Sequence, residues 1–240
     1  MKKASLTILI LFLLMSCKKE VVVDFSEEII ETSEGAEITL NFPKAEGTKE
    51  ITDRINQTLE NYIITQINIS EHDDANGNLY DAISKFNYEY NSFKNNFPES
   101  SQQWEAFVDG EVTYRSTEII CIAITTYLDT GGAHGNTNVR FFNFNPQTGK
   151  LYNKKDLISN IRDLSEVIEK RLKKDLHADN DTEFTEAIFF GKDFQLPETF
   201  GYSNEGLIIL YNPYEIASYS QGLVEFTIPF SEVNQFLKIN

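Results

Sequence analysis

The sequence predicts an α+β protein of two packed regions, each laying helices on an antiparallel sheet. Three observations predict it. Apolar residues recur at helical spacing from Glu50 to Phe97, then at strand spacing from Ala106 to Phe144. Beyond Asp156 the same order, helix before strands, returns. No repeat, low-complexity tract or long linker separates the halves, and the break falls near Phe144 to Asn153, giving regions 35–147 and 148–240.

The elements follow in order. Glu37 to Phe42 alternates, with Ile38, Leu40 and Phe42 on one face, and Pro43 and Gly47 are expected to end that strand. Glu50 to Ile69 carries Ile51, Ile55, Leu59, Ile63 and Ile67 as one stripe of a surface helix. After a polar turn at 71–78, Ile83, Phe86, Tyr90, Phe93 and Phe97 mark a second helix that Pro98 stops. Ala106 to Arg115, Glu118 to Leu128 and Val139 to Phe144 are β-branched and aromatic runs bounded by turn residues, hence three antiparallel strands. In the middle one Ile119, Cys121 and Ala123 face one way and Ile120, Ile122 and Ile124 the other, so it is central, with Cys121 a buried hydrophobe. One helix is expected from Asp156 to Leu176, with Leu157, Ile161, Leu164, Ile168 and Leu172 inward and Glu166–Lys170 and Glu169–Lys173 pairs outside. Leu207 to Tyr211 and Leu223 to Ile228 read as strands before a short terminal helix.

The N-terminus gives an address. Lys2 and Lys3 precede an apolar run from Leu6 to Met15, the pattern of a secretory signal and too short to span a bilayer. Leu14-Met15-Ser16-Cys17 resembles the bacterial lipobox, which makes 1–16 a signal peptide, Cys17 the lipidated residue and 17–34 a tether. A lipid anchor on the membrane is therefore expected, and Lys18-Lys19 after the cysteine favours the outer over the inner membrane by analogy with lipoprotein sorting. The chain has 2 Cys, so lipidation of Cys17 leaves Cys121 without a disulfide partner. The core must then do without staples, for which 240 residues, 41% hydrophobic, suffice.

Charge excludes one class of partner. The net charge is −16, and removing Lys2 and Lys3 takes Lys+Arg from 21 to 19 against 37 Asp+Glu, near −18. Such a field opposes nucleic acid and attracts cationic proteins.

Two loops carry candidate binding chemistry. In Asp129-Thr-Gly131-Gly132-Ala-His134-Gly-Asn136, paired glycines permit positive φ and open amides, and His134 adds a titratable group; a hairpin loop whose glycines serve only geometry is the alternative. In Tyr211-Asn-Pro-Tyr214-Glu215-Ile-Ala-Ser-Tyr219-Ser-Gln-Gly222, three tyrosines offer flat faces with polar tips, suited to a protein, a sugar or the domain's own core. Catalytic and metal patterns are not found. His72, His134 and His177 lack zinc spacing, and no metal or cofactor is expected. Asp74-Ala-Asn76-Gly-Asn78 begins like a calcium loop but has Leu79 where glycine belongs, and Asp179, Asp181 and Glu183 fail likewise. Gly201 to Gly206 is one residue too long for a nucleophile elbow, and no pair of acids is singled out for glycoside hydrolysis.

The loop Gly131-Gly-Ala-His134-Gly135, followed by Tyr211-Asn-Pro-Tyr214-Glu215-Ile-Ala-Ser-Tyr219 and Phe226-Thr-Ile-Pro229, resembles the extracellular part of the lysozyme-sensing anti-sigma factor RsiV and the accessory region of PdaC-type peptidoglycan deacetylases. The resemblance runs from about Asp24 onward. It implies an extracytoplasmic module that captures lysozyme or another cationic protein, or else contacts peptidoglycan. The sigma-binding segment, the spanning helix and the catalytic deacetylase domain of those proteins have no counterpart in the sequence, so a non-enzymatic binding lipoprotein is expected. An envelope hydrolase using His134 is the third reading.

Overall fold

The computed structural model describes residues 22–69, 77–176 and 188–239. Cys17 and its signal segment, His72, His177, Asp74, Asn76 and the acidic residues 179, 181 and 183 lie outside them. The described chain opens with an antiparallel pair, β1 (Asp24–Thr32) and β2 (Glu37–Glu46). β1 corrects the expectation of a tether across 17–34. It is an edge strand with Ile29 exposed, so the β2 ladder, rather than a cleanly alternating apolar face, secures it. Pro43, expected as a stop, lies inside β2. Past Asn41 the strand has β1 alone as neighbour, so only one ladder has to tolerate the missing N–H.

Helices α1 (Lys49–Ile67) and α2 (Leu79–Asn96) form where the spacing places them. All five isoleucine and leucine positions of the α1 stripe are buried. An Asn78–Asp81 capping box opens α2, which buries Ile83, Phe86 and Tyr90, while Phe97 beyond its end stays exposed. This two-helix crossover returns β3 (Glu105–Arg115) beside β2 in parallel; β4 (Ile120–Asp129) and β5 (Asn136–Phe144) then follow antiparallel. The sheet order is β1-β2-β3-β4-β5, and its parallel ladder modifies the expected all-antiparallel arrangement. Pairing between distant strands is a property of the crossover, not of local periodicity.

The two faces of β4 feed two cores, as its alternation predicts. Ile120, Ile122 and Ile124 join Phe142, Phe144 and the α1 and α2 stripes. Ile119, Cys121, Ala123 and Phe141 join the second region. That region comprises α3 (Lys154–Leu157), α4 (Ile161–Asp175), β6 (Phe200–Tyr202), β7 (Gly206–Tyr211), β8 (Val224–Pro229) and α5 (Phe230–Val233), with sheet order β6-β7-β8. The expected continuous helix is two helices. Asn160 accepts a hydrogen bond from the Asp163 N–H to cap α4, while Ser159 donates to the Phe236 carbonyl and Ile158 bridges Leu237. The chain tail thus takes the backbone groups that would have continued α3, and Ile161, expected inward, is exposed. Leu164, Ile168 and Leu172 are fully buried, and Glu169 pairs with Lys173 at 2.8 Å on the outer face.

Cys121 is completely buried, and the Tyr202 N–H donates to its Sγ at 3.3 Å. Burial pushes its thiol up to about 11 from an ordinary 9.0. Between those values the unfolded thiol loses its proton while the folded one keeps it, so stability falls as pH rises through that window. Cys121→Ala should flatten this part of a stability–pH profile measured by urea denaturation. In the same assay at neutral pH, Ile122→Ala should cost about 2–5 kcal/mol by leaving a cavity at the centre of the sheet.

Candidate functional site

The two candidate loops, far apart in sequence, meet at the open end of β5. Asn212 makes the junction. Its Oδ1 accepts from the Val139 N–H at 2.7 Å and its Nδ2 donates to the Val139 carbonyl at 2.9 Å, so one amide side chain satisfies both edge groups of Val139. Glu215 braces the same turn, accepting from the backbone N–H of Asn212 at 2.9 Å and of Glu198 at 2.7 Å. The tyrosine loop therefore docks on the first region's sheet through side chains of its own.

Docking sets His134 against Tyr219, with ring centroids 3.6 Å apart and planes inclined by 14°. The Tyr219 hydroxyl donates to the Gly135 carbonyl at 2.9 Å. His134 Nδ1 lies 2.8 Å from that same carbonyl, which can only accept, so Nδ1 carries the proton. In the neutral ring Nε2 is then the acceptor facing the Tyr214 hydroxyl at 3.4 Å. Tyr214 and His134 are exposed, Tyr219 is half-buried, and the tyrosine rings stand 5.8 Å apart. Tyr214 has φ of +67°, a left-handed conformation that costs a non-glycine residue about 1–2 kcal/mol. The result is a small aromatic platform held at its base and open at its top.

Other candidates take different roles. Tyr211 is fully buried and donates its hydroxyl to the Gln195 carbonyl at 2.8 Å, so it is a core residue of the second region rather than a contact. Glu215 likewise gives both carboxylate oxygens to backbone amides, so it holds the turn in place. Gly131, at φ of +86°, fails as an open amide because its N–H donates to Asp129 Oδ1 at 2.8 Å and its carbonyl accepts from Gln102 at 2.6 Å. An acid already occupies the place an anion would need. Gly132 is exposed, with the His134 carbonyl 3.9 Å from where a Cβ would stand, and Asn136 is exposed where β5 begins opposite Leu128. Gly135 is a requirement that no local pattern in the sequence signals, since a Cβ there would enter the Tyr127 ring. Asn212 was also passed over; the asparagine before a proline in a tyrosine loop was its one signal. Burial first, and then the nearby charges of Asp129 and Glu105, push the Tyr127 phenol above its ordinary value, so two acids stand at the platform's foot. Among the described residues no group of three or more His, Cys, Asp or Glu could hold a metal, and no helix is long and apolar enough to cross a membrane.

With this geometry in view, comparison with known proteins places each loop. Residues 29–137 match the family model described as Deacetylase PdaC, and residues 151–231 match the model described as Protein of unknown function (DUF3298). The chain thus carries one stretch similar to each model, in that order. The histidine loop lies in or at the end of the first match and the tyrosine loop in the second. A crystal structure of a DUF3298 family protein from Pseudomonas aeruginosa PAO1 shares the fold at TM-score 0.61, with 18% identity over 91% of this chain and 94% of that one. A DUF3298 family member from Bacteroides fragilis NCTC 9343 does so at TM-score 0.64, with 16% identity over 91% and 94%. No curated protein matches the sequence.

Because Asn212 joins the two regions, Asn212→Ala should lower stability by about 1–3 kcal/mol through the two orphaned groups of Val139, read by thermal denaturation. It should also release the His134–Tyr219 stack, read as faster exchange of the His134 loop amides.

Proposed function

We propose that the chain is a non-enzymatic binding lipoprotein of the cell envelope, anchored through Cys17, whose contact surface for a cationic protein such as lysozyme is the His134–Tyr214–Tyr219 platform. One observation carries the reading: an exposed tyrosine held at positive φ on a stacked aromatic base that two separate regions build together. Strain of this kind persists where surrounding structure maintains it, and it concentrates at ligand contacts. The acidic foot at Asp129 and Glu105 and a net charge of −16 would steer a basic partner inward and speed encounter. Tyrosine supplies a large, stiff contact face at low entropic cost. Glu198 and Glu215 hold the loop from behind.

A glycan is the second reading, favoured by the match to a model named for a deacetylase and by the flat exposed rings. Here the tyrosines and His134 would lie against sugar faces of peptidoglycan. Sedimentation of the chain with purified sacculi, absent for a protein binder, separates the two.

The full chain should bind lysozyme with an affinity that falls as salt rises. Tyr214→Gly should weaken this binding at least about tenfold without lowering the melting temperature, because glycine adopts the same φ without strain. No binding at low ionic strength, or equal binding by the variant, overturns the platform. Metabolic labelling with palmitate should mark the chain and fail with Cys17→Ser, which tests the anchor separately.

A further inference from the structure

A second site lies at the seam between the regions, on the other half of the β5 edge. In an antiparallel ladder alternate residues point their backbone groups at the neighbouring strand. Val139, bonded to Asn212, points away from β4; so therefore do Phe141 and Asn143. The edge is closed beside Phe141 by Thr199 Oγ1, which accepts the Phe141 N–H at 3.2 Å, and beyond Asn143 by the Tyr152 N–H, which donates to the Asn143 carbonyl at 2.7 Å. Between these closures sits a cleft of about 270 Å³, bordered by β5, the 151–154 segment and the 198–200 segment.

Asn143 and Lys154 both line this cleft, the first with a buried acceptor left over and the second with a charge that no acid among the described residues neutralises. Asn143 is 4% exposed, and its Nδ2 donates to the Phe200 carbonyl at 2.8 Å. That bond fixes the amide orientation, and it leaves Oδ1 buried without a hydrogen-bond partner. Lys154, at the start of α3, is half-buried over the Phe200 ring, with its ammonium donating to the Pro197 carbonyl at 2.5 Å. Among the described residues it takes part in no ion pair. Its neighbour Glu198 is engaged with Arg140 at 2.8 Å. Burial holds the Lys154 ammonium below its ordinary value, with Glu215 and Glu198 opposing at longer range. A buried acceptor calls for a donor, and a partly desolvated cation calls for an anion.

We infer that this cleft binds an amino-acid α-carboxylate with its adjacent N–H, the carboxylate meeting Lys154 and the N–H meeting Asn143 Oδ1. An α-carboxylate carries its nitrogen two bonds away, so a single small group supplies both needs. A space this size is below that of a drug-sized pocket and suits such a group. The chemistry could arrive as a free amino acid or as the C-terminal residue of a peptide. The cleft shares no residue with the aromatic platform, and binding at one does not require binding at the other.

The test titrates the isotope-labelled full chain with alanine, N-acetyl-alanine and N-acetyl-alaninamide, following the backbone and side-chain amides of Asn143 by NMR. N-acetyl-alanine should shift these signals, and removing its charge in N-acetyl-alaninamide should weaken binding at least about tenfold. Lys154→Gln, which keeps the stem and a donor for Pro197, should weaken N-acetyl-alanine by a similar factor with the rest of the spectrum intact. Alanine binding as well as N-acetyl-alanine supports a free amino acid as source; much weaker binding supports a peptide terminus. No shift at Asn143 up to about 10 mM, equal affinity for the neutral amide, or unaltered binding by the folded Lys154→Gln chain overturns the inference.

Discussion

Everything in the molecule depends on β4 being apolar on both faces. A strand with one buried face would support a sheet covered by α1 and α2 and open to water behind. Here Ile119, Cys121 and Ala123 oblige the sheet to be covered again, and the second region exists as that cover. The three-stranded sheet and α4 could not bury Leu164, Ile168, Leu207 and Ile209 without a shared partner surface. The two regions are two sides of one hydrophobic problem, which explains why no linker separates them.

That sandwich leaves the β5 edge exposed at the seam, and the fold closes it with side chains and a short stretch of chain rather than with another strand. Asn212, Thr199 and the Tyr152 backbone each satisfy part of it. An open edge is a liability, and capping it by loops keeps it from pairing with another chain. It also brings functional groups to the seam: the platform of His134, Tyr214 and Tyr219 at one end, and the cleft of Asn143 and Lys154 further along. Both candidate sites are consequences of how one edge is finished.

Much of the architecture was legible in the chain itself. The stripes of α1 and α2 and the double-faced alternation of β4 are local patterns whose periods read directly as burial. The two candidate loops were visible through their glycines and tyrosines. Their roles were not, because a tyrosine reads alike whether it fills a core, as Tyr211 does, or stands in solvent, as Tyr214 does. Glu215 looked like a contact because nothing local shows a carboxylate held by two backbone amides of different segments.

The sequence by itself determined the fold class, the identity of the central strand, the buried state of Cys121 and the excess of negative charge. These depend on periodicity and composition, which each segment carries alone. Only the tertiary structure decided that β2 and β3 run parallel, that β1 is a strand, that α3 and α4 are separate, and that His134 stacks on Tyr219. β1 rests on the ladder of its own hairpin with β2, which no apolar alternation announces; the others rest on hydrogen bonds or ring contacts between residues far apart in the chain, whose partners meet only in the folded molecule.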